Sequence, residues 1–172
     1  VNEDGKELHT PFPDLDRASD LQWSALGEWL GFTFTQGAQQ GLRLYNPFTD
    51  QERLVPNSYP GPWRWAADGS QLAFFATVDR TCQLGIYALQ DGSVRLLDAM
   101  HIDATCEDYF GPVWITDWTS DGRYLFFDAG TGANRGLTVI DVIDDREVIC
   151  LTSTVYTSAK ISPDGAYLAL DL

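Results

Sequence analysis

Side chains able to do chemistry are few in this sequence, and they are scattered. His9 and His101 are its two histidines, and an imidazole acts as acid or base only with a proton-bearing partner or nucleophile within hydrogen-bond reach. Neither sits in a motif that would supply one. No Gly-x-Ser-x-Gly elbow, His-Glu-x-x-His pair or Gly-x-x-x-x-Gly-Lys-Ser/Thr loop occurs. The glycine-rich stretch from Gly130 to Gly136 joins two strand-like runs, whereas a phosphate cradle opens a helix whose N–H groups face the anion. It reads as a hairpin loop. No catalytic residue and no cofactor is expected, so the chain itself is read as not an enzyme.

Two groups of donors could hold a cation. Asp14, Asp16 and Asp20 offer oxygens of the kind hard cations need, but the stretch lacks the glycine and closing glutamate of an EF-hand loop and reads as a solvated loop. His101, Asp103, Cys106 and Glu107 are transition-metal donor types at irregular spacing. No metal site is assigned to either. For binding, the aromatic residues are the better material, with six tryptophans and seven tyrosines. Trp23, Trp65 and Trp118 recur at one position of a repeat, which points to packing. Trp63, Tyr109 and Trp114 fall outside that register. Together with Tyr59, His101 and Asp103 they are the candidate binding residues.

The elements that must position these side chains come from the repeat itself. Trp65-Ala66-Ala67-Asp68-Gly69 leads into Gln71-Leu72-Ala73-Phe74-Phe75, and the pattern returns as Trp23-Ser24-Ala25-Leu26-Gly27, Trp118-Thr119-Ser120-Asp121-Gly122 and Ile161-Ser162-Pro163-Asp164-Gly165. The aligned glycines are separated by 42, 53 and 43 residues, a period that marks stacked supersecondary units. Each copy is a hairpin: an aromatic or apolar residue ends one strand, Asp and Gly supply the turn geometry, and an alternating β-branched and aromatic run begins the next strand. A third strand follows, as in Leu84-Gly85-Ile86-Tyr87 and Leu137-Thr138-Val139-Ile140, and then a fourth, as in Val94-Arg95-Leu96-Leu97 and Glu147-Val148-Ile149-Cys150-Leu151.

The tract Trp-x-x-Asp-Gly-x-x-Leu-x-Phe, then Ile-Tyr-x-Leu, then Arg-Leu-Leu resembles the TolB-like, PD-type (WD-like) β-propeller repeat over nearly the whole chain. Ser162-Pro163-Asp164-Gly165 carries the characteristic tetrapeptide intact. The first copy has Leu26 where aspartate is usual, so that turn is expected to be built differently. The resemblance implies an all-β propeller of four-stranded antiparallel blades set radially, with the first strand of each innermost.

On this reading, residues 1–19 are the end of a blade plus a loop. Blades follow at 20–55, 63–97 and 112–152, and a half blade at 156–172. Three whole blades with partial blades at both ends make either a small closed ring or a segment of a larger propeller, and the segment is favoured because joining the ends leaves a composite blade short of its third strand, with an exposed edge. Pro56 to Pro62, with three prolines, reads as an ordered surface loop, and 98–111 as a long insertion. Trp23, Trp65, Trp118 and Ile161 are expected in equivalent buried positions. Glu3-Asp4-Gly5-Lys6-Glu7-Leu8 matches the turn and last strand of a blade, so further blades or domains, or a signal sequence, are expected upstream.

Charge narrows the partners. The chain has 25 acidic against 11 basic residues, a formal charge of −14, and nucleic acid needs clustered Lys and Arg. Nucleic acid and an anionic membrane surface are therefore disfavoured, and no apolar stretch is long enough for membrane insertion, while a protein or peptide partner fits; the plainer role of the carboxylates is to keep a β-rich surface soluble and its edges unpaired. Two functions remain: a non-catalytic scaffold binding through inter-blade loops, or the propeller of a prolyl-oligopeptidase-like hydrolase whose catalytic domain lies outside this chain. Blade topology puts Cys82 and Cys106 in loops on one face, while Cys150 reads as a strand residue. A disulfide between Cys82 and Cys106 is expected and would place the protein outside the cytosol, periplasmic or secreted. Two free thiols would make it cytoplasmic.

Overall fold

The computed structural model describes residues 11–102, 114–129, 136–152, 158–162 and 167–171. Among them every regular element is a strand. Blade 1 is β1 (Arg17–Trp23), β2 (Leu30–Gln36), β3 (Gln39–Asn46) and β4 (Gln51–Val55). Blade 2 is β5 (Ser58–Trp65), β6 (Gln71–Val78), β7 (Thr81–Ala88) and β8 (Val94–Ile102). Blade 3 is β9 (Trp114–Trp118), β10 (Tyr124–Ala129), β11 (Gly136–Asp141) and β12 (Arg146–Thr152), and β13 (Ser158–Ile161) with β14 (Leu168–Asp171) makes a two-stranded sheet. Neighbours pair in sequence order and antiparallel throughout.

Turn chemistry explains why the strands stop where they do. In the first hairpin of each whole blade a glycine N–H donates to the carbonyl three residues back: Gly27 to Ser24, Gly69 to Ala66 and Gly122 to Thr119, at 2.8–2.9 Å. Those glycines have φ of 71°, 72° and 73°, a region that penalises any Cβ. The first copy is thus not built differently. Leu26 removes only the carboxylate bond seen at Asp68 to Ser70 N–H and Asp121 to Arg123 N–H, and the glycine holds the turn without it.

The core lies between blades, because alternation sends each strand's side chains to opposite faces. On β6, Leu72, Phe74 and Ala76 pack with Leu42, Leu44, Val55 and Trp29 of blade 1. Ala73 and Phe75 pack the other way, with Ile115, Trp118, Leu125 and Phe127 of blade 3. Phe126, Leu137 and Val139 continue the series against Leu168 of β14.

Four expectations are corrected. Trp65 and Trp118 are 7% and 4% exposed, but Trp23 is 54% exposed, since burial at this position comes from a neighbouring blade and, among the described residues, none covers this face of blade 1. The side chain of Ile161 lies outside the described residues. Trp63, expected at the surface, is buried against Trp65 with ring centroids 5.9 Å apart. Residues 58–65 are strand rather than loop: among the described residues β5 has a single neighbour, β6, and its register shifts between Ser58 and Trp63, so the prolines fall where no ladder donor is needed. Cys82 is a fully buried residue of β7 rather than a loop residue, because the turn at Asp79 and Arg80, with φ of 49° and 68°, is only two residues long.

Candidate functional site

The blades have two unlike ends. One carries the β1–β2 and β3–β4 type turns; the other carries the β2–β3 type turns and the connections from blade to blade. Of the candidate residues, Tyr59, His101 and Trp114 belong to the second end. Tyr59 opens β5 and is half buried against the core between blades 2 and 3. His101 stands near the end of β8, opposite Gln83 of β7, and Trp114 opens β9 opposite Asp128 of β10. Their side-chain surroundings, like Asp103, Cys106, Glu107, Tyr109 and the Gly130–Arg135 stretch, lie outside the described residues. The structure therefore brings Tyr59, His101 and Trp114 to one end by strand position, and removes Trp63 from the set.

The first part of the insertion 98–111 is strand. Leu84 pairs with Leu97 while its neighbour Gln83 pairs with His101, so β8 bulges by three residues. A bulge leaves ladder donors without partners. Asp145 of blade 3 takes them: its carboxylate accepts from the N–H of Asp98 and of Ala99, each at 3.0 Å.

Two adjoining concavities open at this end beside blade 1, sharing Phe34 and Gln40. The more polar, about 210 Å³, is lined by Arg17, Ser19, Thr33, Thr35, Gln40 and Pro60. The other, about 350 Å³, runs along Gln39, Gly41, Leu54, Asn57 and Ser58. Their walls are fixed by hydrogen bonds. Ser19 and Thr33 hydroxyls lie 3.0 Å apart, Thr33 donates to the Ser19 carbonyl, and Ser58 Oγ accepts from Leu42 N–H at 2.7 Å while donating to the Val55 carbonyl. Arg17 is the cation of the polar concavity. Such an arrangement can orient a peptide backbone or a carboxylate by hydrogen bonds; it holds no nucleophile paired with a base. Sequence reasoning missed Arg17, Ser19, Thr33, Thr35 and Gln40. The available signal was on β2, where Thr33 puts a hydroxyl at the position that Phe75 holds on β6.

The acidic stretch is taken up in structure. Asp16 accepts from Gly37 N–H at 2.7 Å and Asp20 from Gln22 at 3.0 Å. Among the described residues no group of three or more His, Cys, Asp or Glu is placed to hold a metal ion. At the far end, Asp141 is fully buried and bonded to Arg123 Nε at 2.9 Å and to the N–H groups of Ile143 and Asp144 at 3.1 Å. Burial pushes its pKa up, but Arg123 and the two N–H groups outweigh it and hold the carboxyl below its usual value. Arg123 is raised in turn by its bond to Asp141. This cluster closes the β11–β12 turn, as Asn46 Oδ1 closes β3–β4 by accepting from Phe48 and Thr49 N–H.

No helix among the described residues is long and apolar enough to cross a membrane. No family model and no curated protein matches the chain. Solved structures do. The β-propeller domain of the Trilobed protease from Pyrococcus furiosus is similar at a TM-score of 0.62 and 14% identity, over 83% of this chain and 44% of that one. TolB from Acinetobacter baumannii gives 0.63 and 14%, over 90% and 37%. Pyrococcus horikoshii acylaminoacyl peptidase gives 0.65 and 13%, over 92% and 28%. The chain thus spans less than half the length of each of these proteins. At such identity the likeness is one of fold, and the fold is that of the TolB-like β-propellers, present as three four-stranded blades followed by a two-stranded sheet.

Proposed function

We propose that the chain is a non-catalytic binding module that holds a protein or peptide partner at the end of the blades where β5 and β9 begin. The observation that carries this is the gathering, at that end, of the Arg17–Gln40 concavity with Tyr59 and the strand positions of His101 and Trp114. The fold shared with TolB agrees with an interaction role. Panning a displayed peptide library on the chain and titrating the selected peptides calorimetrically tests it. Arg17→Ala combined with Gln40→Ala, or Tyr59→Ala, is expected to weaken binding at least tenfold, while Asp50→Asn at the opposite end leaves it unchanged. Equal affinity for all variants would count against the assignment.

A second reading is favoured by the likeness to acylaminoacyl peptidase: a propeller that gates substrates for a prolyl-oligopeptidase-like hydrolase carried elsewhere in the polypeptide. Labelling of the natural polypeptide by a fluorophosphonate, at a Gly-x-Ser-x-Gly serine outside residues 1–172, would decide for it.

The pairing of Cys82 with Cys106 and an extracytoplasmic location belong to the same proposal. They are supported by the burial of Cys82 in the wall between blades 2 and 3. Peptide mapping without reduction is expected to return a Cys82–Cys106 linked pair; a Cys82–Cys150 pair would remove that pairing alone, and free thiols would remove both.

A further inference from the structure

Among the described residues, the arginines divide by whether the fold uses their charge. Arg53 and Arg95 reach the Leu89 and Val142 carbonyls of the next blade, and Arg64 reaches the Ile115 carbonyl at 3.3 Å. Arg43 pairs with Glu52 at 3.2 Å, and Arg123 and Arg146 lie 2.9 and 3.8 Å from Asp144. Arg17 and Arg80 are left over: both residues are exposed, and neither side chain has an ionic or hydrogen-bonded partner. Both stand at the end of the blades where β5 and β9 begin. Arg17 opens β1 and lines the 210 Å³ concavity. Arg80 is the second residue of the two-residue β6–β7 turn, and Thr77, three residues before it, donates its N–H at 3.1 Å to the carbonyl of Asn57, in the wall of the adjoining 350 Å³ concavity. The paired concavities thus have one unused arginine from blade 1 and another from blade 2 beside them.

The backbone at Arg80 is an independent sign of use. Its φ is 68° and that of Asp79 is 49°, a left-handed pair that Asn-Gly satisfies with least strain. Among the described residues the other non-glycine positions with positive φ, Asp20, Asp50, Asn57, Asp79 and Asp145, are all Asp or Asn, whose short polar side chains tolerate that region. Arg80 is the exception. The corresponding turn of blade 1 has a glycine, Gly37, at φ 58°. Local structure gives no reason for the arginine, because its side chain is exposed and the turn is already clamped by Thr81 Oγ1 donating to the Val78 carbonyl at 2.6 Å. Backbone strain of this kind collects where a residue serves a ligand.

We infer, on the strength of the binding role proposed above, that the partner is an acidic peptide segment, with one carboxylate received by Arg17 and a second by Arg80. A guanidinium meets a carboxylate through a planar fork of two hydrogen bonds, and the Gln40 amide with the Ser19 and Thr33 hydroxyls then holds the peptide backbone in the polar concavity. A carboxylate is the anion that fits rather than a phosphate, because a chain of formal charge −14 repels a dianion more strongly than a single negative charge.

Fluorescence anisotropy with two pools of labelled synthetic decapeptides tests this. One pool carries Glu and Asp at alternate positions with mixed apolar residues between them, and the other carries Gln and Asn in their place. The acidic pool is expected to bind at least tenfold more tightly. Arg17→Ala and Arg80→Ala are each expected to weaken it at least fivefold, while Arg146→Ala, which removes an equal charge from the opposite end, leaves it unchanged. Replacing Asp79-Arg80 by Asn-Gly is expected to raise Tm by about 2–4 °C as strain is relieved, yet to weaken the acidic pool as Arg80→Ala does. Equal affinity for the two pools, with Gln40→Ala weakening both, would overturn the acidic preference and leave the binding role standing. Equal losses from Arg17→Ala, Arg80→Ala and Arg146→Ala would overturn it too, by assigning the effect to net charge alone. Failure of either pool to bind would also overturn it, and if peptide panning failed as well the binding role would fall with it.

Discussion

At the scale of single residues, close approach rather than turn geometry explains the glycine at position 31. A Cβ there would lie 2.4 Å from Cη2 of Trp63, and Trp63 is held by the edge of Trp65 and cannot swing away. Gly31→Ala is therefore expected to cost about 1–3 kcal/mol, the usual range for overpacking a filled core. Gly27 is the opposite case. Space around it is open but its φ is 71°, so Gly27→Ala should cost about 1–2 kcal/mol through backbone strain alone. Urea denaturation of both variants checks the pair of values, and a neutral Gly31→Ala would mean that the tryptophan has somewhere else to go.

At the scale of the element, an arginine at one position of the fourth strand joins blade 1 to blade 2 and blade 2 to blade 3. Arg53 on β4 donates to the Leu89 carbonyl of blade 2, and Arg95 on β8 donates to the Val142 carbonyl of blade 3 at 2.6 Å. The two arginines occupy the same position of the fourth strand, and the two carbonyls the same position of the third-to-fourth turn. Arg53 also lies 5.0 Å over the Trp29 ring. Arg53→Met should thus lose about 1–2 kcal/mol, a hydrogen bond from a charged donor plus a cation–π contact, and Arg95→Met less, since Arg95 is exposed and lacks the ring; chemical denaturation that ranked them the other way would refute the ring's share. Arg-Leu-Leu was visible in the sequence as a strand motif, yet the carbonyl its arginine reaches lies in another blade and no local pattern announces it. The same physics sorts the rest of the reading. Hairpins and strand order were legible because Asp, Gly and alternation act within a few residues. The burial of Trp63 and the exposure of Trp23 were not, because both depend on which sheet stands opposite. The prolines of β5 misled for a related reason: they argue against an interior strand, and β5 has only one neighbour.

At the scale of the molecule, acid should dismantle what the carboxylates hold. Asp141, Asp121 and Asp91 are all kept below the ordinary value of 3.8, Asp141 by Arg123 and two backbone N–H groups against the pull of burial, Asp121 first by the Thr119 hydroxyl, Asp91 first by the Ser93 N–H. Each is bound as the anion in the fold. Its contribution is complete above the unfolded carboxylate pKa of about 3.9 and drains away as pH falls through the lower folded value. Tm is predicted to be level from neutrality to about pH 5 and to drop below about pH 4. Asp141→Asn, which keeps the turn acceptor but loses the Arg123 pair, should lower the plateau and flatten the drop; a variant as steep as the parent would assign the loss to other groups. The way the blades seal one another has a mechanical consequence as well. Because each interface is shared by two neighbours only, tension applied between residues 11 and 171 would not meet one indivisible core. The sheets should come away singly, giving a sawtooth in a single-molecule pulling trace. Each tooth would release one repeat of about 42 to 53 residues, or roughly 140–190 Å of chain at about 3.3–3.6 Å per residue, with the two-stranded sheet of β13 and β14 giving way at the lowest force.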